Sequence, residues 1–188
     1  VLLAIVLIAL ASLILGMGLP VTASYIVLAV LAAPALTNLG VGLLPAHLLI
    51  FWYSQDANVT PPVCLAAYSA AGIAGSDPIK TGFVSWKISK GLYLIPLMFC
   101  YTGILFQDGW FSGISATIFA TLGLLAFAAA SEGFHRARLG TMSRLLYCAC
   151  GTALMWPELI SNIAGLVVLS ALYLSQLRTG RDLLTMSS

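Results

Sequence analysis

The chain has 188 residues, 61% of them hydrophobic and only 7% charged, with a mean hydropathy of +1.04. Soluble domains carry about 25% charged residues, so a water-soluble fold is excluded and an all-α integral membrane protein is expected. The net charge of +2 comes from eight Lys and Arg against six Asp and Glu. These cluster in a few loops without forming a basic face, which excludes nucleic acid as a partner.

Val1 to Leu15 is almost wholly apolar and makes roughly 22 Å of helix, short of the ~30 Å of a hydrocarbon core. Gly16-Met17-Gly18-Leu19-Pro20 interrupts it, and a second apolar run continues to Leu36. Two short helices joined by a Gly/Pro tip predict a re-entrant hairpin over 1–37, since one span of that length is too long even with tilt. Leu44 to Ala74 follows with a polar centre of Ser54, Gln55, Asp56, Asn58 and Thr60 and then two prolines. Such a centre survives in a membrane only inside protein or along a cavity, so a broken spanning helix over 44–74 is predicted.

Asp77-Pro78 signals a helix start, and Lys80, Lys87 and Lys90 with Phe83 and Trp86 predict an amphipathic helix on the cytoplasmic surface. Gly91 to Phe106 reads as a span, Gln107 to Trp110 as a turn, and Ser112 to Ser131 as the return crossing. The loop from Glu132 to Arg144 carries His135, Arg136, Arg138 and Arg144, and the positive-inside rule places it on the same side as the lysines. Leu145 to Gln176 is interrupted at Trp156-Pro157-Glu158 and predicts a hairpin whose far end carries Arg178 and Arg181. Traced back from the lysines, these charges make the hairpin over 1–37 enter from the outer face, its tip meeting the break at Asn58 to Pro62. Cys64, Cys100, Cys148 and Cys150 lie in apolar runs without metal-ligand spacing and read as small buried apolar residues.

A broken membrane helix frees carbonyls at the end of its first half and N–H groups at the start of its second, suiting a cation and an anion respectively. Gly16 and Gly18 permit close backbone approach, and Pro20 opens a helix without wasting a donor. Thr60 reads as an N-cap with Pro61 in the first helical position, while Ser54, Asn58, Thr60, Thr22 and Ser24 supply neutral oxygens. Asp56 is the acid in mid-span and a candidate proton or cation site, since a charge there costs on the order of 3 kcal/mol unless paired. His47 reads as a polar interface residue. Gly113-Ile114-Ser115 with His135 lacks the spacing of a serine hydrolase, and no covalent catalysis is expected.

The runs Gly16-Met17-Gly18-Leu19-Pro20-Val21-Thr22-Ala23-Ser24-Tyr25, Ala33-Pro34-Ala35-Leu36, Thr60-Pro61-Pro62-Val63 and Ala70-Ala71-Gly72-Ile73-Ala74-Gly75-Ser76-Asp77-Pro78, in this order, resemble the large membrane subunit of TRAP transporters. The resemblance is to the TAXI type, often a fused permease. It is strongest over Val1 to Phe106, and the remainder is similar to the tail of such fusions. It implies an elevator-type ion-transporter fold, with 1–75 as a transport-domain part, 76–111 as surface helix and scaffold-type span, and 112–188 as a membrane tail. Opening on Val1 inside an apolar run, the sequence is expected to be the C-terminal portion of a longer permease.

The resemblance further implies Na⁺ ligands at Gly16, Gly18, Thr22, Thr60 and Pro61 and substrate-facing roles for Asn58 and Ser24. It also implies an organic acid, dicarboxylate or glutamate-like, delivered by a periplasmic receptor, with the rest of the permease or a small membrane subunit and the inner-membrane bilayer as further partners. No cofactor or metal beyond the coupling ion is expected. The polar run Ser54 to Asn58 departs from the family pattern, so coupling to H⁺ through Asp56 stands beside coupling to Na⁺. The competing expectation is a non-transporting membrane anchor or assembly subunit whose breaks are packing kinks.

Overall fold

The computed structural model describes residues 1–135 and 138–185, with side chains described as far as Gln176. Arg136 and the side chains of Arg178 and Arg181 therefore lie outside the described residues. The chain divides into two units, Val1–Cys100 and Tyr101–Ser188.

The first unit holds helices α1 (Leu2–Gly18), α2 (Val21–Leu31), α3 (Ala33–Asn38), α4 (Leu43–Asp56), α5 (Leu65–Ala74) and α6 (Pro78–Ile88), and nearly all of α7 (Lys90–Tyr101). Its core is built from Ile5, Ala9, Leu28, Leu36, Leu49 and Ile50, with Tyr93, Leu97 and Cys100 of α7 packed against it. The first interruption is narrower than the sequence predicts. Gly16 and Gly18 both stay helical, and only Leu19, extended, and Pro20 leave the helix. Helical glycine costs about 1 kcal/mol, which an apolar surrounding that demands paired backbone groups outweighs. Proline, lacking the N–H and clashing with the preceding turn, is what ends the helix.

The second interruption is wider than expected. Residues 57–64 are non-helical, and α5 starts at Leu65 with Cys64 at its N-cap. This corrects the expectation that Thr60 caps a helix opening on Pro61. A residue before proline is pushed out of the α region, and Pro61-Pro62 imposes that twice, so helix resumes only beyond them. The gap is closed by its own backbone bonds, Asn58 N–H to Gln55 O (3.0 Å), Cys64 N–H to Thr60 O (3.2 Å) and Ala66 N–H to Asn58 O (3.1 Å).

Helix α6 begins as the sequence predicts, with Pro78 in its first turn and the Asp77 carboxylate accepting from the Lys80 N–H at 3.0 Å. It lies against α5 through Gly82, where a Cβ would stand 2.8 Å from Cys64 Sγ and 3.1 Å from the Tyr68 ring. Phe83, Val84, Trp86 and Ile88 are exposed. The expected span from Gly91 to Phe106 is not continuous helix. Helix α7 has 12 residues with Pro96 inside it, about 18 Å long, and a short 3-10 turn (Gly103–Leu105) follows, ending at a left-handed Phe106.

The second unit holds α8 (Trp110–Glu132), α9 (Thr141–Met155) and α10 (Leu159–Thr185). Helix α8 and the Leu159–Gln176 part of α10 are long and apolar enough to cross a membrane. The interruption at Trp156 to Glu158 separates two helices, as the sequence predicts, with the first arm opening at Thr141. Small residues bring the helices close. A Cβ on Gly151 would meet the Phe127 ring at 2.7 Å and the Gly123 carbonyl at 3.0 Å, and the Cys150 thiol donates to Gly165 O at 2.9 Å. Arg144 donates through Nε to Ala130 O (2.7 Å) and through Nη2 to Ser131 O (3.1 Å), placing a cation on the carbonyl end of α8. Cys64 and Cys150 are buried, Cys100 and Cys148 half-buried.

Gly151→Val is expected to overpack the α8–α9 crossing and lower stability by about 1–3 kcal/mol, seen as a reduced midpoint of thermal unfolding in detergent. Gly72→Ala in α5, where nothing lies within 4 Å, is expected to leave the midpoint unchanged or raise it.

Candidate functional site

The last turn of α1 and the first turns of α2 flank the end of α4, where the second interruption begins. Gly16 lies so close to α4 that a Cβ there would stand 2.5 Å from the Ser54 carbonyl oxygen and 3.1 Å from Ala57 Cβ. Only glycine allows this approach, because the obstacle is backbone. From α2, the buried Ser24 hydroxyl donates to Ser54 Oγ at 3.0 Å, and Ser54 in turn donates to Ile50 O at 2.9 Å. Asp56, the last residue of α4, is 3% exposed, and its Oδ2 is buried without a hydrogen-bond partner among the described residues.

Thr60 is buried in the turn beyond, its hydroxyl donating to the Asp56 carbonyl oxygen. The Tyr93 hydroxyl of α7 lies 2.6 Å from Thr60 Oγ1. A hydroxyl carries one hydrogen, and that of Thr60 is given to Asp56, so Tyr93 is the donor to Thr60. Tyr53 closes the group by donating to the Tyr93 carbonyl oxygen at 2.6 Å.

Of the residues the sequence singles out, Gly16, Ser24, Asp56 and Thr60 converge on the Ser54–Ala57 stretch. Gly18 is exposed, with nothing within 4 Å of where its Cβ would be, and Thr22 is exposed. Pro61 is half-buried beside Thr60. Asn58 donates its side-chain amide to Gln55 O at 3.1 Å, a bond within the turn. His47 pairs through Nδ1 with the Tyr25 hydroxyl at 3.1 Å.

Tyr53 and Tyr93 went unnoticed in the sequence. Tyr53 stands three positions before Asp56, where side chains share a helix face, and that spacing was the available signal. Tyr93 lies 33 residues from Thr60 and only the fold brings it there. The assembled group gathers several neutral oxygens on the last turn of α4 and the turn beyond it, together with one buried carboxylate oxygen. A carboxylate held in such surroundings without a partner is costly, and a bound cation or proton relieves that cost.

Residues 1–107 match the family model described as Tripartite ATP-independent periplasmic transporter, DctM component. No curated protein and no solved structure matches the chain.

Tyr93→Phe removes one donated hydrogen bond and is expected to cost about 1 kcal/mol, while leaving the Tyr53 bond to the backbone in place. Gly16→Ala is expected to cost about 1–3 kcal/mol by overpacking, and Gly18→Ala to leave stability unreduced. Thermal unfolding of the purified variants checks all three.

Proposed function

Because the chain belongs to the family of the DctM component of tripartite ATP-independent periplasmic transporters, a family of membrane-integral transport proteins, we propose that it works as the permease subunit of a secondary active, cation-coupled importer of an organic acid. The substrate class is a dicarboxylate or glutamate-like acid handed over by a periplasmic receptor. The subunit is multi-pass in the inner membrane, of the TAXI type with its C-terminal tail fused on. It moves substrate by an elevator motion in which the hairpin of α1 and α2 and the broken helix of α4 and α5 travel together against a scaffold.

One observation carries this reading. Asp56 Oδ2, without a hydrogen-bond partner among the described residues, is buried at the end of α4, where the broken helix meets α1 and α2. Packing kinks in a passive anchor have no need of an acid there. Asp56 is the coupling group, charge-balanced by H⁺ or Na⁺. The family resemblance assigns Na⁺ ligation to Gly16, Gly18, Thr22, Thr60 and Pro61 and substrate-facing roles to Asn58 and Ser24; of these, Gly16, Ser24 and Thr60 gather with Asp56 at the end of α4.

The reading is tested by reconstituting the permease with its receptor in liposomes and measuring uptake under an imposed Na⁺ or pH gradient. Asp56→Asn is expected to abolish gradient-driven uptake, and Thr60→Ala to raise the cation concentration needed for half-maximal uptake. Unchanged coupled uptake in both variants would sink the site assignment. Loss of only the pH-driven component in Asp56→Asn would assign Asp56 to the proton, and loss of only the Na⁺-driven component would assign it to the ion.

A further inference from the structure

The second unit carries a half-open cavity of about 480 Å³ between α8 and α10, beside the loop that joins α8 to α9. That volume lies within the roughly 300–1,000 Å³ of small-molecule sites. Leu122 and Leu125 of α8 and Leu166, Leu169 and Leu174 of α10 make it apolar along its length. From Leu166 to Leu174 the wall is about 12 Å long, at 1.5 Å per residue.

Polar groups gather at the loop end. The His135 ring lies 5.8 Å from that of Tyr147 and 5.7 Å from that of Tyr173, and all three residues line the cavity. Tyr147 is 1% exposed, and its hydroxyl is buried without a hydrogen-bond partner among the described residues. A buried donor left unmade is costly, and the remaining polar lining does not relieve it. The Ser170 hydroxyl is spent on Leu166 O at 2.7 Å. Between α8 and α9 the sequence carries Arg136 and Arg138, with Arg144 in the first turn of α9. Arg144 is committed to the end of α8, while Arg138 is exposed.

We propose that this cavity binds one acyl chain of an anionic phospholipid from the cytoplasmic leaflet. The chain lies along the leucines, an ester carbonyl accepts from the Tyr147 hydroxyl, and the headgroup phosphate pairs with the exposed Arg138. An amphiphile satisfies the cavity's two ends together, where a purely apolar ligand leaves Tyr147 unpaired and a free phosphate leaves the leucine wall empty. The site lies beyond the family-matched residues 1–107 and does not depend on the transport reading.

The test places the full chain in phosphatidylcholine nanodiscs with a trace of phosphatidylglycerol carrying a photoreactive group on one acyl chain, and maps the cross-links by peptide mass spectrometry. Labelling is expected to concentrate on residues 122–126 and 166–174, several-fold above the exposed Leu159–Ile163 segment, and to be competed by unlabelled phosphatidylglycerol. Tyr147→Phe should reduce it roughly threefold to tenfold, as loss of one hydrogen bond does. Leu169→Trp, which fills the cavity, should remove most of it. Should Leu169→Trp fail to yield folded protein, Ser170→Phe fills the cavity from a more exposed position and should do the same. Labelling spread evenly over the apolar surface, equal labelling by a phosphatidylcholine carrying the same photoreactive chain, or labelling that survives the filling substitutions would overturn the proposal.

Discussion

The contact of Gly16 with the Ser54 carbonyl sets the distance between α1 and α4, and the polar cluster depends on that distance. In an apolar medium an unpaired backbone group costs several kcal/mol, so an interrupted helix must be closed by its neighbours or by itself. The gap at residues 57–64 is closed in both ways. Its own amides turn back on Gln55, Asp56 and Thr60, and three elements hold its flanks. Helix α1 reaches it through Gly16, α6 through Gly82 against Cys64 and Tyr68, and α7 through the Tyr93 hydroxyl on Thr60. Tyr68 adds a bond from its hydroxyl to Pro62 O at 2.8 Å.

The second unit is assembled by a different means. Lipid tails are as apolar as leucine, so helices in a bilayer associate through close packing and polar contacts more than through hydrophobic burial. Gly123 and Gly151 let α8 and α9 touch backbone to backbone, and Leu154 packs where Gly165 of α10 has no side chain. The Cys150 thiol and the Ser161 hydroxyl reach across to backbone carbonyls, Ser161 to Ala153 O at 2.8 Å. The arginine at the start of α9 clasps the carbonyl end of α8.

Much of this was legible in the sequence because proline and charge are strong local signals. Pro20, the Pro61-Pro62 pair and Pro157 each fall at an interruption, and Asp77-Pro78 opens a helix as written. The extent of the interruptions was not legible. Gly16 and Gly18 read as breaks because glycine is poor in helices, yet it serves the helix at Gly16 by admitting another backbone. Thr60 read as a cap because a hydroxyl before proline usually is one, yet the second proline delays the helix and turns that hydroxyl back to Asp56. Of the site, the α4 side was visible as a polar island in an apolar run. The α7 side was not, since a tyrosine in an apolar helix carries no mark of a partner 33 residues away.

The hydroxyls around the end of α4 each give their hydrogen in a fixed direction, in short runs that end on backbone carbonyls. Ser24 gives its hydrogen to Ser54 and Ser54 to the Ile50 carbonyl, Tyr53 gives to the Tyr93 backbone carbonyl, and the Tyr93 hydroxyl gives to Thr60 and Thr60 to the Asp56 carbonyl. Each hydrogen in this inventory is already assigned, and none of them goes to the buried oxygen of the Asp56 carboxylate. Rotating one hydroxyl toward that oxygen only uncovers another acceptor, because the number of hydrogens stays fixed. The deficit at Asp56 is one of stoichiometry, which no rearrangement of these hydroxyls makes up.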